Sequence, residues 1–518
     1  MNKYAEQALL EYNSEECSPR PGGIDGRPFW NVKSTQFMYA PVLEFSKRPD
    51  GCSYLYTVTD KDGKAYSLKS NVNFISLAPV WGDVSAGFIE IKAEATDGNG
   101  NVLELVGERK IYKSAPFPGR QAYEGKACSY RECALKAFRF VYEDPMVQYW
   151  LKYGVPEPDY AHNAYPSKTI SSLIKAMVYY AKLEPSAAQN AIKLAVRAAD
   201  YLLSITPTDG PLAYLPPTYS FDGLNAESVN RVAPAAEKSL GTTMMIYPLS
   251  AGLGFLTLFD ATGDKKYYDA ALRIAEFYKN NVLPCGSWYL LYDCSTGKPL
   301  SENICVDFKF TEFFRALYEK TGDNVWHKLE ISHFDYIIKS RLESFNWEGQ
   351  FEDVNVSCNY TNLTHFTTDA MINYIANHLS HDKKMVATAK ELMRYVEDQF
   401  VLWGEYPMWE WRPNKPHHTP AGLEQYFCYD PICSSTSTIM DTFISMYRLT
   451  DDRLYLEKAL TLADMITRMQ VEKDGKIPTF WIGENCEYGH ENFWINCQIG
   501  TAFSMMQLAE FTEAEGIE

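Results

Sequence analysis

Three acidic residues have the surroundings that bond-breaking chemistry asks for. Glu352 and Asp353 stand side by side at the end of the segment WEGQFED, which begins at Trp347. Glu424 lies in Leu423-Glu424-Gln425-Tyr426, followed by Tyr429-Asp430. An acid set among Leu, Phe and Tyr is expected to be partly buried, which raises a carboxyl pKa and suits a proton donor. Cleavage of a glycosidic bond needs such a pair, one carboxyl protonated as general acid and one ionised as base or nucleophile. Glu352, Asp353 and Glu424 are therefore the candidate catalytic residues. Each also has a plainer reading: a solvated turn, a helix cap, or a buried Glu satisfied by tyrosine hydroxyls.

Other side chains suit recognition of a sugar. His365, in Asn362-Leu363-Thr364-His365, opens a helix and should face the mouth of a cleft. There it can orient a carboxylate, bind an acidic sugar or act as a base in an elimination. Trp409, Tyr426 and Tyr429 share one long segment with Arg412. Aromatic faces stack on the C–H face of a sugar ring, and a guanidinium holds a carboxylate with two parallel hydrogen bonds. Trp288, Trp347 and Trp481 occupy comparable positions in other loops, and with Trp409 they are expected to surround one cleft. Loop or core packing is the alternative for every one of them. His417-His418 have no partner at a metal-site spacing, so no metal is expected. The chain carries no dinucleotide fingerprint, P-loop or Gly-x-Ser-x-Gly elbow, so no cofactor is expected and a serine-hydrolase reading has little support.

The elements that would position these residues repeat. LTLFDATGDKKYYDAALRIAEFY from Leu256, RALYEKTGDNVWHKLEISHFDYI from Arg315 and SMYRLTDDRLYLEKALTLADMI from Ser445 each read as a helix, a tight turn and a returning helix. Weaker copies occupy 179–203 and 375–396. A hairpin of this kind cannot bury its apolar face alone and must stack on neighbours. Twelve helices are expected, starting near Tyr130, Ser167, Ser186, Gly241, Asp264, Cys305, Asp323, Asn362, Asp382, Ser434, Asp451 and Asn496. Five hairpins with short turns, closed by pairing of the first and last helices, make an (α/α)6 toroid. The inner helices carry small residues such as Ser250-Ala251-Gly252 and Gly500, which permit close approach around an axis. The outer-to-inner connections are long, aromatic and acidic, emerge on one face, and are the expected functional loops.

From Gly26 to about Phe117 the texture changes to short alternating runs cut by turn signals such as Lys61-Asp62-Gly63 and Asp97-Gly98-Asn99-Gly100. The runs are Ser53–Asp60, Phe74–Trp81, Gly87–Asp97 and Asn101–Tyr112. The expected organisation is a polar lead-in over 1–25, a small antiparallel β-sandwich over 26–118 and the toroid over 119–518. The sandwich reads either as a cap on the helical body or as a carbohydrate-binding module.

The whole chain of 518 residues has room for a large core, and its 36 Tyr and 11 Trp give it an aromatic-rich texture. A net charge of −17 disfavours nucleic acid and anionic membrane surfaces as partners. No apolar run reaches bilayer-spanning length, and the segment MNKYAEQALLEYN lacks the apolar stretch of a secretion signal. The 12 cysteines form no CxxC pair or framework, which suits reduced thiols in the cytoplasm. A homo-oligomer is compatible with all of this.

The toroid body with a preceding β domain resembles the (α/α)6 carbohydrate-active enzymes, among them uronic-acid-processing glycoside hydrolases, unsaturated-glucuronyl hydrolases and polysaccharide lyases. Over roughly 125–515, PAGLEQYFCYDPICSSTSTIM with RMQVEKDGKIPTFW and ENFWINC resembles a gut-bacterial group that includes the glycoside hydrolase family 154 β-glucuronidases. The resemblance implies a hydrolase releasing a terminal sugar, a uronic acid above all, from an oligosaccharide. It transfers no catalytic pair to particular positions. A lyase acting on uronates, a sugar epimerase or isomerase, and a non-catalytic sugar-binding protein remain as alternatives.

Overall fold

The computed structural model describes residues 2–14, 34–49, 52–352, 362–404, 417–425, 430–484, 486 and 493–517. The expected lead-in begins as a helix, α1 (Lys3–Ser14). Ala5, Ala8 and Tyr12 recur at helical spacing and are all buried, so one face of α1 packs into the body. Gln7 reaches Asp452 at 3.0 Å and the Tyr12 hydroxyl donates to Glu397 at 2.6 Å.

Seven strands follow: β1 (Gln36–Phe37), β2 (Val42–Glu44), β3 (Ser53–Thr59), β4 (Ala65–Ser70), β5 (Phe74–Ser76), β6 (Gly87–Thr96) and β7 (Val102–Lys113). A short helix, α2 (Ala78–Trp81), separates β5 from β6. The run Phe74–Trp81 therefore splits. A proline at the start of α2 fixes φ in the helical range, and its missing N–H costs nothing in a first turn. The sheet order is β1-β7-β6-β3-β4, with β1 parallel to β7 and the other neighbours antiparallel. Strands β2 and β5 form a separate ribbon. Cross-strand pairs Tyr56–Ala93 and Val58–Ile91 are buried on one face, where Phe45 and Ile75 from the ribbon side pack. The opposite face is largely open along β4 and the first half of β7. Among the described residues the expected sandwich is thus one five-stranded sheet carrying a small ribbon.

The helical body contains α3 (Tyr130–Glu143), α4 (Pro145–Tyr153), α5 (Pro166–Leu183), α6 (Ala188–Ser204), α7 (Ala226–Val232), α8 (Pro234–Lys238), α9 (Tyr247–Thr262), α10 (Lys265–Asn280), α11 (Lys309–Thr321), α12 (Asn324–Ile337), α13 (Phe366–His378), α14 (Lys383–Phe400), α15 (Cys433–Thr450), α16 (Arg453–Met469) and α17 (Ile495–Glu515). Five antiparallel hairpins, α5/α6, α9/α10, α11/α12, α13/α14 and α15/α16, stand side by side. Helix α17 packs against α3 and against both α15 and α5, which closes the ring. Helices α5, α9, α11, α13, α15 and α17 line the inside. Asp264, Asp323, Asp382 and Asp452 each accept a free backbone N–H at an outer-helix start. Gly263 and Gly322 end α9 and α11 in the left-handed conformation, which makes the turns tight. At Gly252 a Cβ would sit 2.5 Å from the Phe313 ring, so the close approach of α9 and α11 requires glycine. Helices α4, α7 and α8, inside long connections, were not legible as separate elements.

The β domain is fastened to the ring by buried polar groups. Glu397, near the end of α14, pairs with Lys458 of α16 at 2.8 Å and also receives Tyr12, Tyr39 and the Trp403 indole. Asp398 accepts the backbone N–H groups of Met38 and Tyr39 at 2.6 and 2.8 Å. Burial pushes the Asp398 carboxyl up to about 7, against the pull of those hydrogen bonds. No helix of the described residues is long and apolar enough to cross a membrane.

Candidate active site

The six inner helices run in one direction and present their N-termini to the face of long connections. Their first turns bring Lys168, Tyr247, Lys309 and Asn496 toward this end, with His365 just ahead of α13. Free backbone N–H groups and helix dipoles make such a face hospitable to negative charge.

Glu352 is delivered to this face by a folded-back loop. Gly349 N–H donates to Asn362 O, and Thr364 N–H to Trp347 O, so residues 347–349 pair with the segment leading into α13. The Gln350 side chain ties the loop to Val306 and Ile304 ahead of α11. The Tyr219 hydroxyl donates to the Glu352 carbonyl at 2.9 Å. One Glu352 carboxylate oxygen meets Lys168 Nζ and the other meets the Tyr247 hydroxyl. The residue is 5% exposed. Burial raises its pKa, but the charge and hydrogen bond of Lys168, helped by Tyr247, overcome this and hold it below the usual value. Glu352 is thus an ionised carboxylate at neutral pH.

Glu424 arrives from a different repeat. Residues Val401–Leu402 pair with Ala421–Gly422. The Gly422 N–H donates to Thr436 Oγ1 at 2.9 Å, and a Cβ at Gly422 would meet the Thr436 backbone at 2.8 Å, so glycine lets this strand lie on the first turn of α15. Two residues on, the Glu424 carbonyl accepts from Thr364 Oγ1 at 3.1 Å and its N–H donates to Asp430 O at 3.2 Å. The Glu424 side chain is half-buried. The charges of Glu424 and Glu352 both act on the Cys497 thiol at the start of α17. Burial pushes this thiol up to about 11; a hydrogen bond with Ser434 and the charge of Lys168 lower it, while both glutamates raise it further. Beside Glu352 lies a cavity of about 210 Å³, walled by Glu352, Lys168, His162, Tyr165, Trp494 and Asn496.

Other expectations need correction. Trp288 and Trp481 are 1% and 0% exposed and offer no open face to a sugar. Trp288 stacks on Phe310 at 4.6 Å and its indole N–H donates to Tyr278 O; the Trp481 indole donates to Pro478 O. Trp347, also expected at the cleft, is 1% exposed. All three rings are part of the hydrophobic core. His365 does not reach the mouth either. It is fully buried between Phe366 and Phe400, with Nδ1 2.5 Å from Asp369 Oδ2. His418 bonds the Gly483 carbonyl at 2.9 Å. Asp353, Trp409, Arg412, Tyr426 and Tyr429 lie outside the described residues.

Lys168, Tyr247, Tyr219 and His162 were missed from the sequence. Lys168 and Tyr247 had a usable signal: each stands in the first turn of an inner helix, where a side chain must face either the axis or the loops. Tyr219 and His162 sit in irregular segments with no periodicity to place them.

No protein-family model matches the chain, and no curated protein matches it in sequence. Solved structures resemble it in shape. A D-mannose isomerase superposes with a TM-score of 0.51 at 12% identity, covering 74% of this chain and 97% of its own. The cellobiose 2-epimerase from Spirochaeta thermophila DSM 6192 gives 0.50 at 12% identity, over 74% and 98%. A family 76 glycoside hydrolase from a bovine Bacteroides thetaiotaomicron strain gives 0.46 at 10% identity, over 91% and 96%. At such identities the isomerase and the epimerase speak for the fold alone. That fold, closed by α3 and α17, is the (α/α)6 toroid.

Proposed function

We propose that the loop face of the ring is the active site of a glycoside hydrolase that releases a terminal sugar, a uronic acid by preference, from an oligosaccharide. The observation that carries this reading is Glu352, kept ionised by Lys168 and Tyr247 in the wall of a cavity; Glu424, from a different repeat, is near enough that both glutamates raise the Cys497 thiol. In this reading Glu424 protonates the glycosidic oxygen as the bond to the anomeric carbon breaks. Glu352 either takes the proton of an attacking water or itself attacks that carbon. Asp353 is the neighbouring acid that would support or replace Glu352. Arg412 would hold the uronate carboxylate, with Trp409, Tyr426 and Tyr429 against the sugar ring. The inner-helix N-termini favour an anionic substrate.

The test is a panel of aryl glycosides that includes glucuronides and galacturonides, with product analysis. Release of aglycone and a reducing sugar, reduced at least about a thousandfold in Glu352→Gln and Glu424→Gln with little change in melting temperature, supports the assignment. Near-wild-type turnover in both variants removes it. An unsaturated sugar product assigns a lyase instead.

A second reading is favoured by His162, which stands in the same cavity wall as Glu352 and Lys168. An imidazole beside a carboxylate suits proton transfer at a sugar carbon. The two structures of like shape are named as an epimerase and an isomerase. Conversion of a free sugar or disaccharide without bond cleavage would favour this reading.

A further inference from the structure

On three of the inner helices, positions that are not fully buried recur along one side. On α15 they include Ser434, Thr438, Asp441 and Arg448, with Ser445 only 8% exposed between them, a spacing of three and four residues. On α5 the same spacing gives Lys168, Ser172, Lys175 and Tyr179. Helix α17 carries Asn496, Gly500 and Gln507 on one side, with Ser504 only 8% exposed between them. Inner helices spend their other faces on the outer helix behind and on lateral neighbours, so these stripes face the axis. On these three helices the stripe is polar, whereas on α9 it sets Leu253 beside Thr257 and Asp260.

Three cavities lie along the ring, with no lining residue in common. At the loop face is the cavity of about 210 Å³ beside Glu352. Below it a cavity of about 350 Å³ follows α13 from Phe366 to His378, with Glu312 of α11 and Thr438 of α15 in its walls. On the far face a basin of about 750 Å³ is lined by Arg448, Gln507, Glu510 and Phe511. Glu312 is enclosed by the ring and yet solvent-exposed. Asn373 Oδ1, on the α13 wall, has no hydrogen-bond partner among the described residues. A Cβ at Gly500 would meet nothing within 4 Å. Stripping water from Lys175 and Glu312 would be costly, so the ring interior holds solvent.

We propose that the ring is a through-channel, and that the monosaccharide released at the loop face leaves by the far face between Asn377 and Gln507. The proposal rests on the hydrolase reading for its cargo, but not for the opening itself. A leaving oligosaccharide that fills the loop-face mouth then need not depart before the small product does. The stripes of α5, α15 and α17 offer hydroxyl, amide and charged partners, which suits a hydrated hexose or hexuronic acid.

The test is a plug at the exposed far end, Asn377→Trp with Gln507→Trp, in the full chain. With an aryl glycoside, kcat should fall at least about threefold while kcat/KM stays unchanged, and a burst of one equivalent of aglycone should appear because sugar release now limits turnover. Unchanged kcat with no burst overturns the exit route. A second arm needs no activity. Thr438→Cys is introduced with and without the plug, and its alkylation by iodoacetamide is followed residue by residue by mass spectrometry. The plug should slow alkylation at least about twofold; an unchanged rate overturns the far opening. A protein that cleaves no glycoside in the panel, but whose Thr438→Cys is protected by the plug, loses the hydrolase reading and keeps the channel.

Discussion

Lys168 and Glu352 form an ion pair although they lie 184 residues apart, one on the first turn of α5 and the other at the end of a loop before α13. The pair is nearly shielded from water on the Glu352 side, where side-chain exposure is 3%. Removing the cation while leaving the carboxylate exposes the full effect of burial.

Lys168→Met should therefore raise the pKa of Glu352 from below its usual range to above it, since burial is then opposed only by Tyr247 and the local backbone. If Glu352 works as the ionised group, the acidic limb of the pH–rate profile moves to higher pH by more than about one unit. Lys168→Arg should move it far less. A pH–rate series for the three proteins decides, and an unmoved acidic limb in Lys168→Met would show that Glu352 does not act in its ionised form.

Trp288→Ala should destabilise the protein by about 3–5 kcal/mol, because a large ring stacked on Phe310 is replaced by a void. Residual activity of the folded fraction should keep a KM within about twofold of the parent. Chemical denaturation and steady-state kinetics give both numbers. A KM effect without a stability effect would return Trp288 to the sugar site.

Lys458→Met should cost about 3–5 kcal/mol, because Glu397 would be left buried without its cation. Adding Glu397→Gln should recover part of that loss, since the uncompensated charge is gone. A double-mutant cycle by urea denaturation measures the coupling, which should be at least about 1 kcal/mol.

The raised Asp398 carboxyl fixes the sign of a pH effect. Between its ordinary value of 3.8 and about 7 the folded protein holds a proton that the unfolded chain has released. Its contribution to stability is complete below about 4 and is lost as pH rises through about 7. Asp441 in the ring axis is raised to about 7 by burial in the same sense, so the parent should melt lower at pH 8 than at pH 5.5. Asp398→Asn keeps an acceptor for the Met38 and Tyr39 amides and should flatten that slope. Melting curves at several pH values test it, and an unchanged slope would place the titration elsewhere.

Ring helices were legible where local rules act. Asp264, Asp323 and Asp382 announced helix starts to the residue because a cap is a short-range interaction. The start expected near Gly241 fell six residues early, since Thr242–Met244 pair with Leu291–Asp293 before α9 begins at Tyr247. That pairing spans some fifty residues and leaves no local trace. Glu352 was legible as an acid in a long loop, but its protonation state was not, because that depends on Lys168 and Tyr247 from two other repeats. The tryptophans misled for a related reason. A Trp in a Gly-rich loop looks the same in sequence whether its ring faces a sugar or Phe310.

The closing contact of α17 with α3 is made by the two ends of the helical body, held in part by Arg131 and Glu513 at 2.6 Å. The five hairpins joined by short turns can each form as soon as they are synthesised; the sixth cannot. Until the last ring helix exists, α15 and α5 have an open flank and Cys433 faces no partner wall. Asn496, in the wall of the loop-face cavity, and Cys497, which the charges of both glutamates reach, belong to that same late helix. Completion of the site and closure of the ring are thus a single event in time. A chain stopped before α17 keeps most of its hairpins and lacks one wall of the loop-face cavity.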